Sequence, residues 1–337
     1  MDIRKSSKVN LLFTSVGRRV ELLRAFRKAY DTLKLDGNIV AFDADPLAPA
    51  LSMADKLYIV PKVDSPEYIP KLISICRDEN VHLVFPLIDP DIFQLVDNRE
   101  KIESTGAKVV VIPDDYARIT HDKLLTHQFF DRIGIKNSKY WQPQDIKTFS
   151  PTFPLFIKNR FGSAAKDTFK LNNAKELDFF STYVPNPIIE EFLPGSEITN
   201  DVYCDLQGKV LSVVSRKRLE VRSGEVQKGV TVYDESISRD CVKIAQALEG
   251  IGPITIQCIM KENVPYFTEI NARFGGGVPL GIAAGCDMPQ WILAQLAGID
   301  FKVPALGQYK LGLYLSRYDD SIFVSGNTIE KTSINTL

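Results

Sequence analysis

The chain lacks a surplus of either charge, a cysteine framework and any long apolar run. Its 337 residues carry 41 Lys and Arg against 42 Asp and Glu, a formal net charge of −1. No whole-molecule field therefore exists to hold nucleic acid or an anionic membrane, and any phosphate binding must be local. Five cysteines, Cys76, Cys204, Cys241, Cys258 and Cys286, are odd in number, scattered and form no CxxC pair. That pattern excludes a disulfide framework and a thiolate zinc site, and leads us to expect a reduced, cytoplasmic protein. Residues 9–13, interrupted by Asn10, are too short for a signal-peptide core. The least charged stretch, 274–299, contains Asp287, Pro279, Pro289 and a glycine triplet, which reads as buried helix and loop rather than membrane span. Only three histidines are present, with no convincing Cys-His or Ser-His pattern for a protein nucleophile. The remaining composition, 45% hydrophobic, 25% charged and 10% aromatic, is that of a globular chain, and the length suggests about two domains.

What is present is alternation. Residues 9–14 form a short apolar run ending at Ser15-Val16-Gly17-Arg18, after which Leu22, Ala25, Phe26 and Ala29 share a helical face. Further strands are expected at 38–44, 56–60, 82–86 and 108–112, with a helix opening at Pro66 and another over 91–102. Alternating β and α segments with apolar strands predict a parallel, doubly wound sheet ending near Pro113. After a helix at 121–133, the prolines at 143, 151 and 154 mark a loop, and strands then follow closely at 155–158, 168–171, 188–192, 198–205 and 210–215. A helix carrying Ile237, Cys241, Ile244, Ala245 and Leu248 on one face precedes two more strands, 252–260 and 265–271. The second region thus reads as α+β with antiparallel sheets. From about Ala305 the chain reads as a tail, with one strand at 311–317.

Chemistry concentrates in Phe267-Thr268-Glu269-Ile270-Asn271-Ala272-Arg273-Phe274-Gly275-Gly276-Gly277. In a strand, the period of two places Glu269, Asn271 and Arg273 on one face, with Phe267 starting the same row. Glu269 and Asn271 offer hard oxygens suited to Mg²⁺, Gln257 on the neighbouring strand offers a third, and Arg273 offers a fork for phosphate or carboxylate. The same row also fits a solvent-facing strand of ordinary polar residues. Lys158 closes an apolar strand and precedes a loop of small residues, Gly162, Ser163, Ala164 and Ala165, that lets backbone N–H groups approach a phosphate. Lys123 stands near a helix start. Singly, each lysine is an ordinary surface charge; together they point to phosphate. The run Ile188-Ile189-Glu190-Glu191-Phe192-Leu193-Pro194-Gly195-Ser196-Glu197 is a strand entering a Pro-Gly break, able to offer backbone groups to a purine edge and a carboxylate to ribose hydroxyls. Arg216, Lys217, Arg218 and Arg222 lie around the turn after a predicted strand, as a solvated basic face or as an anionic acceptor site. Ser15, Gly17 and Arg18 sit where the first strand meets a helix N-terminus, the usual anion site of a doubly wound sheet. Asp89 and Asp91 end another βα turn, where they could engage an amine.

These blocks resemble the ATP-grasp superfamily, in the branch similar to carbamoyl-phosphate synthase large subunits and PylC-type carboxylate-amine ligases, over about residues 9–298. The resemblance implies a Rossmann-like pre-ATP-grasp domain at 1–113 and an ATP-grasp domain at 114–304. The latter divides into a small subdomain at about 120–192 and a larger one at about 193–304, leaving a C-terminal tail at 305–337. It implies that Lys123 and Lys158 contact ATP phosphates beside Gly162 and Ser163, that Glu190 and Phe192 form the adenine hinge, and that Glu197 is the ribose acid. It further implies that Gln257, Glu269 and Asn271 are ligands of Mg²⁺, with Mn²⁺ as a substitute, and that Arg273 steadies the transferred phosphoryl group, with Lys158 and Arg273 catalytic. Ser15, Arg18, Asp89, Arg216 and Arg222 are the substrate candidates. The implied activity is activation of a small carboxylate as an acyl phosphate for attack by an amine, with no nucleic acid or membrane partner and with a homodimer compatible. The loop at 162–167 is poorer in glycine than the family's, which keeps an ATP-binding module without turnover as an alternative. The chain is too short for the second ATP-grasp copy of a full carbamoyl-phosphate synthase, so only a split half of one fits. A dinucleotide-dependent oxidoreductase is the least favoured reading, because Thr14-Ser15-Val16-Gly17-Arg18-Arg19 lacks GxGxxG.

Overall fold

A computed structural model describes residues 8–146, 151–162, 166–222 and 224–326. The N-terminal part forms five parallel strands, β1 (Leu11–Thr14), β2 (Ile39–Asp43), β3 (Lys56–Ile59), β4 (Leu83–Pro86) and β5 (Lys108–Val109), in the order β3-β2-β1-β4-β5. All four residues of β1 and all four of β4 are buried, as a central parallel strand covered on both faces requires. Chain order reverses between β1 and β4, so their C-terminal ends open the crevice where such sheets place ligands. The turns leaving these two strands are tied together by buried Asp91, which accepts from Thr14 (2.5 Å), Ser15 (3.0 Å) and Tyr68 (3.0 Å). Ser15 adopts φ 47 and Gly17 φ 46, so the first turn is sharply wound into its helix at Val20–Leu33.

Three elements differ from the sequence expectation. The fifth strand stops at Val109 because Arg99, rather than a neighbouring strand, satisfies the carbonyls of Val109, Val111 and Ile112 at 3.3, 3.3 and 2.9 Å. The helix expected at 121–133 is preceded by another, Asp114–His121, and begins at Lys123–Arg132; Asp122 lies between them and caps the second by accepting from the Leu124 amide at 3.0 Å. The helix expected at 91–102 is likewise two, Asp89–Asp97 and Arg99–Glu103.

Two antiparallel sheets follow. The smaller contains β6 (Tyr140–Trp141), β7 (Leu155–Asn159), β8 (Thr168–Leu171) and β9 (Pro187–Glu191) in the order β6-β9-β7-β8. The larger contains β10 (Ser196–Cys204), β11 (Val210–Arg222), β12 (Glu225–Val232), β13 (Gly252–Lys261), β14 (Val264–Asn271) and β15 (Tyr314–Ser316) in the order β14-β13-β10-β11-β12-β15. The basic run expected around a turn is therefore strand: β11 continues to Arg222, paired with β12, whose Gln-Lys-Gly centre hides its strand character in the sequence. β15 pairs with β12, so the C-terminal segment completes a sheet edge. On β14 the register passes from Glu269 opposite Gln257 to Phe267 opposite Cys258, leaving Thr268 as a bulge. The bulge reverses the alternation, so Phe267 is fully buried in the core and does not share the row of Glu269.

Two buried clusters each join the parallel sheet to the larger antiparallel sheet, and the smaller sheet keeps a cluster of its own. Phe274 is fully buried and packs edge-on against Phe26 (5.9 Å) and tilted against Phe85 (5.7 Å), fastening the segment after β14 to the parallel sheet. Among the described residues no helix is long and apolar enough to cross a membrane. Removing a large buried aromatic leaves a cavity, so Phe274→Ala is expected to lower unfolding free energy by about 3–5 kcal/mol in urea titrations. Phe179→Ala, at a ring 60% exposed, is expected to cost less than about 0.5 kcal/mol in the same assay.

Candidate functional site

A cleft of about 660 Å³ is lined by both antiparallel sheets and by the two βα turns at the crevice of the parallel sheet. Its size lies in the range of small-ligand sites. Thirteen of the sixteen residues singled out from the sequence line it; of the other three, Ser15 and Arg222 do not, and Ser163 is outside the described residues. Gln257 and Glu269 stand opposite each other on β13 and β14, and Thr255 stands opposite Asn271. The strand alternation thus brings Gln257, Glu269 and Asn271 to one wall, as expected from their spacing. Among the described residues no group of three or more His, Cys, Asp or Glu is placed to hold a metal. One carboxylate with two amide oxygens instead suits a magnesium ion that shares its shell with phosphate oxygens and water.

Facing this wall are the two lysines. Lys123, at the first turn of its helix, lies 4.0 Å from Glu269 and donates to the Gly162 carbonyl. Burial depresses its pKa, with Glu269 opposing that effect and the charge of Lys158 adding to it. Lys158 on β7 is 2.6 Å from the Glu190 carboxylate on β9, which also meets His127 Nε2 at 2.8 Å and Ser138 at 3.3 Å. Burial works to raise the Glu190 carboxyl, yet Lys158 and His127 outweigh it and hold it at about 2. The Glu190 side chain is therefore spent on orienting Lys158, and the cleft beyond it is lined by Glu191, Phe192 and Leu193. The Phe192 ring lies 4.3 Å from Lys170 Nζ, and Glu191 pairs with Lys261 at 3.0 Å. Glu197 reaches the cleft and is paired with Arg218, which also donates to Gly224 O at 2.9 Å. Ser163, with Ala164 and Ala165, lies outside the described residues.

The other end of the cleft is rich in arginine. Arg273 is held by Asp89 at 2.8 Å and also approaches Asn271 at 3.4 Å. Burial opposes charge on Arg273, but Asp89 more than compensates and raises its pKa. Asp89, expected to meet an amine, is thus engaged by Arg273, and Asp91 is wholly buried. Ser15 does not line the cleft either; its hydroxyl is given to Asp91. Arg216 lines the cleft from β11, buried in a two-pronged pair with Asp201 at 2.6 and 3.0 Å. Arg222 points elsewhere, 66% exposed and 3.5 Å from Asp319. Arg18 is at the rim, 67% exposed, while its neighbour Arg19 turns inward to 3.1 Å from Glu225. Sequence reading missed Arg19, Glu225 and Arg317, the last reaching Glu225 at 3.0 Å from just beyond β15. No local signal marks them, because sheet pairing and the Gly17 turn bring them together.

A family model described as PylC-like, N-terminal domain, matches residues 11–110, and one described as ATP-grasp in the biosynthetic pathway with Ter operon matches residues 184–316. Residues 184–316 are thus similar to an ATP-grasp domain, and residues 11–110 to the N-terminal domain of PylC-like proteins. Carbamoyl-phosphate synthase of Methanobrevibacter smithii is 30% identical over 162 residues, covering 45% of this chain and 42% of that protein. The chain therefore aligns with less than half the length of that curated relative. The biotin carboxylase domain dimer of Hydrogenobacter thermophilus 2-oxoglutarate carboxylase, in complex with MgADP, ADP and bicarbonate, superposes with a TM-score of 0.69 at 15% identity, over 91% of this chain and 74% of that one. N5-carboxyaminoimidazole synthetase of Staphylococcus aureus, complexed with ADP, gives 0.69 at 16% identity, over 92% of this chain and 82% of that one. L-amino acid ligase of Bacillus licheniformis gives 0.66 at 18% identity, over 86% and 74%. At these identities the likeness is one of fold. The ATP-grasp fold accounts for the parallel sheet followed by two antiparallel ones.

Glu190 carries a direct test of the pairing that orients Lys158. A carboxyl held at about 2 against an ordinary 4.5 contributes stability that is complete above pH 4.5 and is lost as pH falls toward 2. Thermal unfolding measured from pH 6 downward is expected to show a smaller loss in Glu190→Gln than in the unsubstituted protein. Identical slopes would show that Glu190 is not held ionised.

Proposed function

We propose that the chain is a magnesium-dependent ligase that uses ATP to phosphorylate a small carboxylate and passes the acyl group to an amine. The observation that carries this reading is the wall of Gln257, Glu269 and Asn271 facing Lys123 and Lys158 across one cleft. Phosphoryl transfer needs positioning and charge stabilisation more than a protein nucleophile, and these groups supply both. Lys158 and Lys123 hold triphosphate oxygens, the former fixed by Glu190. Bound magnesium would neutralise phosphate oxygens beside Gln257, Glu269 and Asn271. Arg273, fixed by Asp89, stands at the substrate end of that wall, where it stabilises the phosphoryl group and steadies the carboxylate that receives it. Residues 191–193 offer the base a strand edge, and Glu197 the ribose. The named solved relatives support the same division of labour, since two of them hold ADP and one also holds bicarbonate.

Within this reading, residues 1–113 form the pre-ATP-grasp domain, 114–304 the ATP-grasp domain, and 305–337 a C-terminal tail, of which β15 pairs with β12. The cytoplasm is the proposed compartment, supported by five buried cysteines that are all free. A homodimer is the proposed assembly, by analogy with the dimeric biotin carboxylase domain. The turn after β1 argues against dinucleotide binding, because the Asp43 carboxylate accepts from the Gly17 amide at 2.7 Å, where an incoming pyrophosphate would need a free donor. The alignment with carbamoyl-phosphate synthase favours a second arm of the test, in which bicarbonate and ammonia are the acid and the amine.

Calorimetric titration is expected to show binding of Mg-ATP and none of NAD, and screening acids and amines in pairs is expected to show phosphate release that requires both partners. Glu269→Ala is expected to lower kcat by about 100-fold. ATP binding without acceptor-stimulated phosphate release in any pair, bicarbonate with ammonia included, would replace the ligase with a binding module.

A further inference from the structure

The arginine-rich end of the cleft holds more positive charge than a single carboxylate substrate answers. Arg216 is balanced by Asp201 and Arg273 by Asp89, but Glu225 alone, among the described residues, serves Arg18 at 4.0 Å, Arg19 at 3.1 Å and Arg317 at 3.0 Å. Buried charges of one sign are costly without a partner, and here Arg19 and Arg317, both largely buried, share one carboxylate with the exposed Arg18. Burial lowers the pKa of Arg19, Glu225 opposes that effect, and the nearby charges of Arg273 and Arg317 add to it. Hydrogen bonding is incomplete in the same place. Arg19 Nη1, though 3.1 Å from the Glu225 carboxylate, makes no hydrogen bond, and Arg273 Nε has no hydrogen-bond partner; both atoms are buried on residues that line the cleft. The backbone between them is shaped for close approach. A Cβ on Gly276 would lie 2.5 Å from Arg19 Nη1 and 3.1 Å from Glu225, and Arg317 donates to the Gly276 carbonyl from behind.

We infer that this end of the cleft, formed by Arg18 and Arg19 and braced by Glu225 and Arg317, receives a second oxyanion on the substrate, besides the carboxylate that is phosphorylated next to Arg273. The inference rests on the ligase reading for the identity of the reacting carboxylate. Arg273 is already balanced by Asp89, whereas the surplus on Arg18, Arg19 and Arg317 around the one Glu225 is what the second oxyanion answers. Guanidinium forks bind carboxylate and phosphate alike, so the substrate class is a dicarboxylate or a phosphorylated carboxylate, with or without an amino group. Arg317 acts through Glu225 and Gly276 and is a positioning residue. The C-terminal segment thereby helps to build the substrate end of the site.

The test measures binding in the presence of Mg²⁺ and a non-hydrolysable ATP analogue, so that no turnover is needed. Matched probes are butyrate against succinate, norvaline against glutamate, and serine against O-phosphoserine, the last pair separating phosphate from carboxylate as the second group. At least one dianionic probe is expected to bind about tenfold or more tightly than its monoanionic match, as loss of a charge-assisted hydrogen bond implies. Arg19→Gln is expected to erase that preference and Arg18→Gln, a change at an exposed side chain, to reduce it several-fold. Equal binding within every pair, or a preference unaltered in both variants, would overturn the inference, as would no binding of any dianion at millimolar concentration. Failure of these acids to drive ADP release would instead count against the ligase reading alone, because binding is read without catalysis.

Discussion

A cation buried in a protein cleft is stabilised by a carboxylate beside it, and here the register of neighbouring strands supplies that carboxylate to Lys158 and Arg216. Lys158 on β7 faces Glu190 on β9, since β7 and β9 pair so that Phe156 lies opposite Glu190 and Lys158 one step along. Arg216 on β11 lies beside Asp201 on β10 in the same way. Lys123 and Glu269 meet across the cleft, and Arg273 is caught by Asp89 from the turn of the parallel sheet. Each pair reduces the desolvation cost of its cation, and each also fixes where the charge points. The positions of Lys158 and Arg216 are consequently a property of the sheets, whereas those of Lys123 and Arg273 depend on a helix start and a βα turn.

The parallel sheet takes part in this because its crevice is tied to the antiparallel region twice. Phe274 packs between Phe26 and Phe85, and Arg273, one residue earlier, is held by Asp89. Asp91 then joins the turn after β4 to the turn after β1 through Thr14 and Ser15. Burial raises the Asp91 carboxyl to about 6 even though three hydroxyls donate to it. A group so disposed costs stability when ionised, so its retention is best understood through what it positions: the wound turn at Ser15 to Gly17 that sends Arg19 inward and leaves Arg18 at the rim.

Much of the site was legible because it is local. The Glu-x-Asn-x-Arg row and the alternation of Thr255, Gln257 and Ile259 are strand patterns, and period two is enough to read them. The same rule misplaced Phe267, because a bulge at Thr268 inserts one residue, and nothing in Phe-Thr-Glu announces it. The basic run of β11 was read as a turn since charged residues ordinarily avoid buried strands. It is strand because Asp201 and Glu197 on β10 neutralise Arg216 and Arg218, a fact visible only once the two strands are paired. Asp89 and Arg273 are 184 residues apart, and Arg317 reaches Glu225 through the addition of β15 to the sheet edge, so neither contact has a sequence signal of its own.

This division explains how a fold can be shared at 15–18% identity while the chemistry it serves differs. Strand register survives extensive substitution, because it depends on hydrophobic alternation and backbone pairing, so the paired strands β13 and β14 fix where Gln257, Glu269 and Asn271 stand. The residues at the far end of the cleft obey no such constraint. Arg18 and Arg19 sit in a βα turn, Glu225 opens β12, and Arg317 lies just beyond β15. Turn and edge positions can change without disturbing a core, and they are the positions that surround whatever occupies the cleft beyond Arg273. The end of the cleft around Lys158, Gln257 and Glu269 is therefore built chiefly by paired strands, and the end around Arg18 and Arg19 by turn and edge residues.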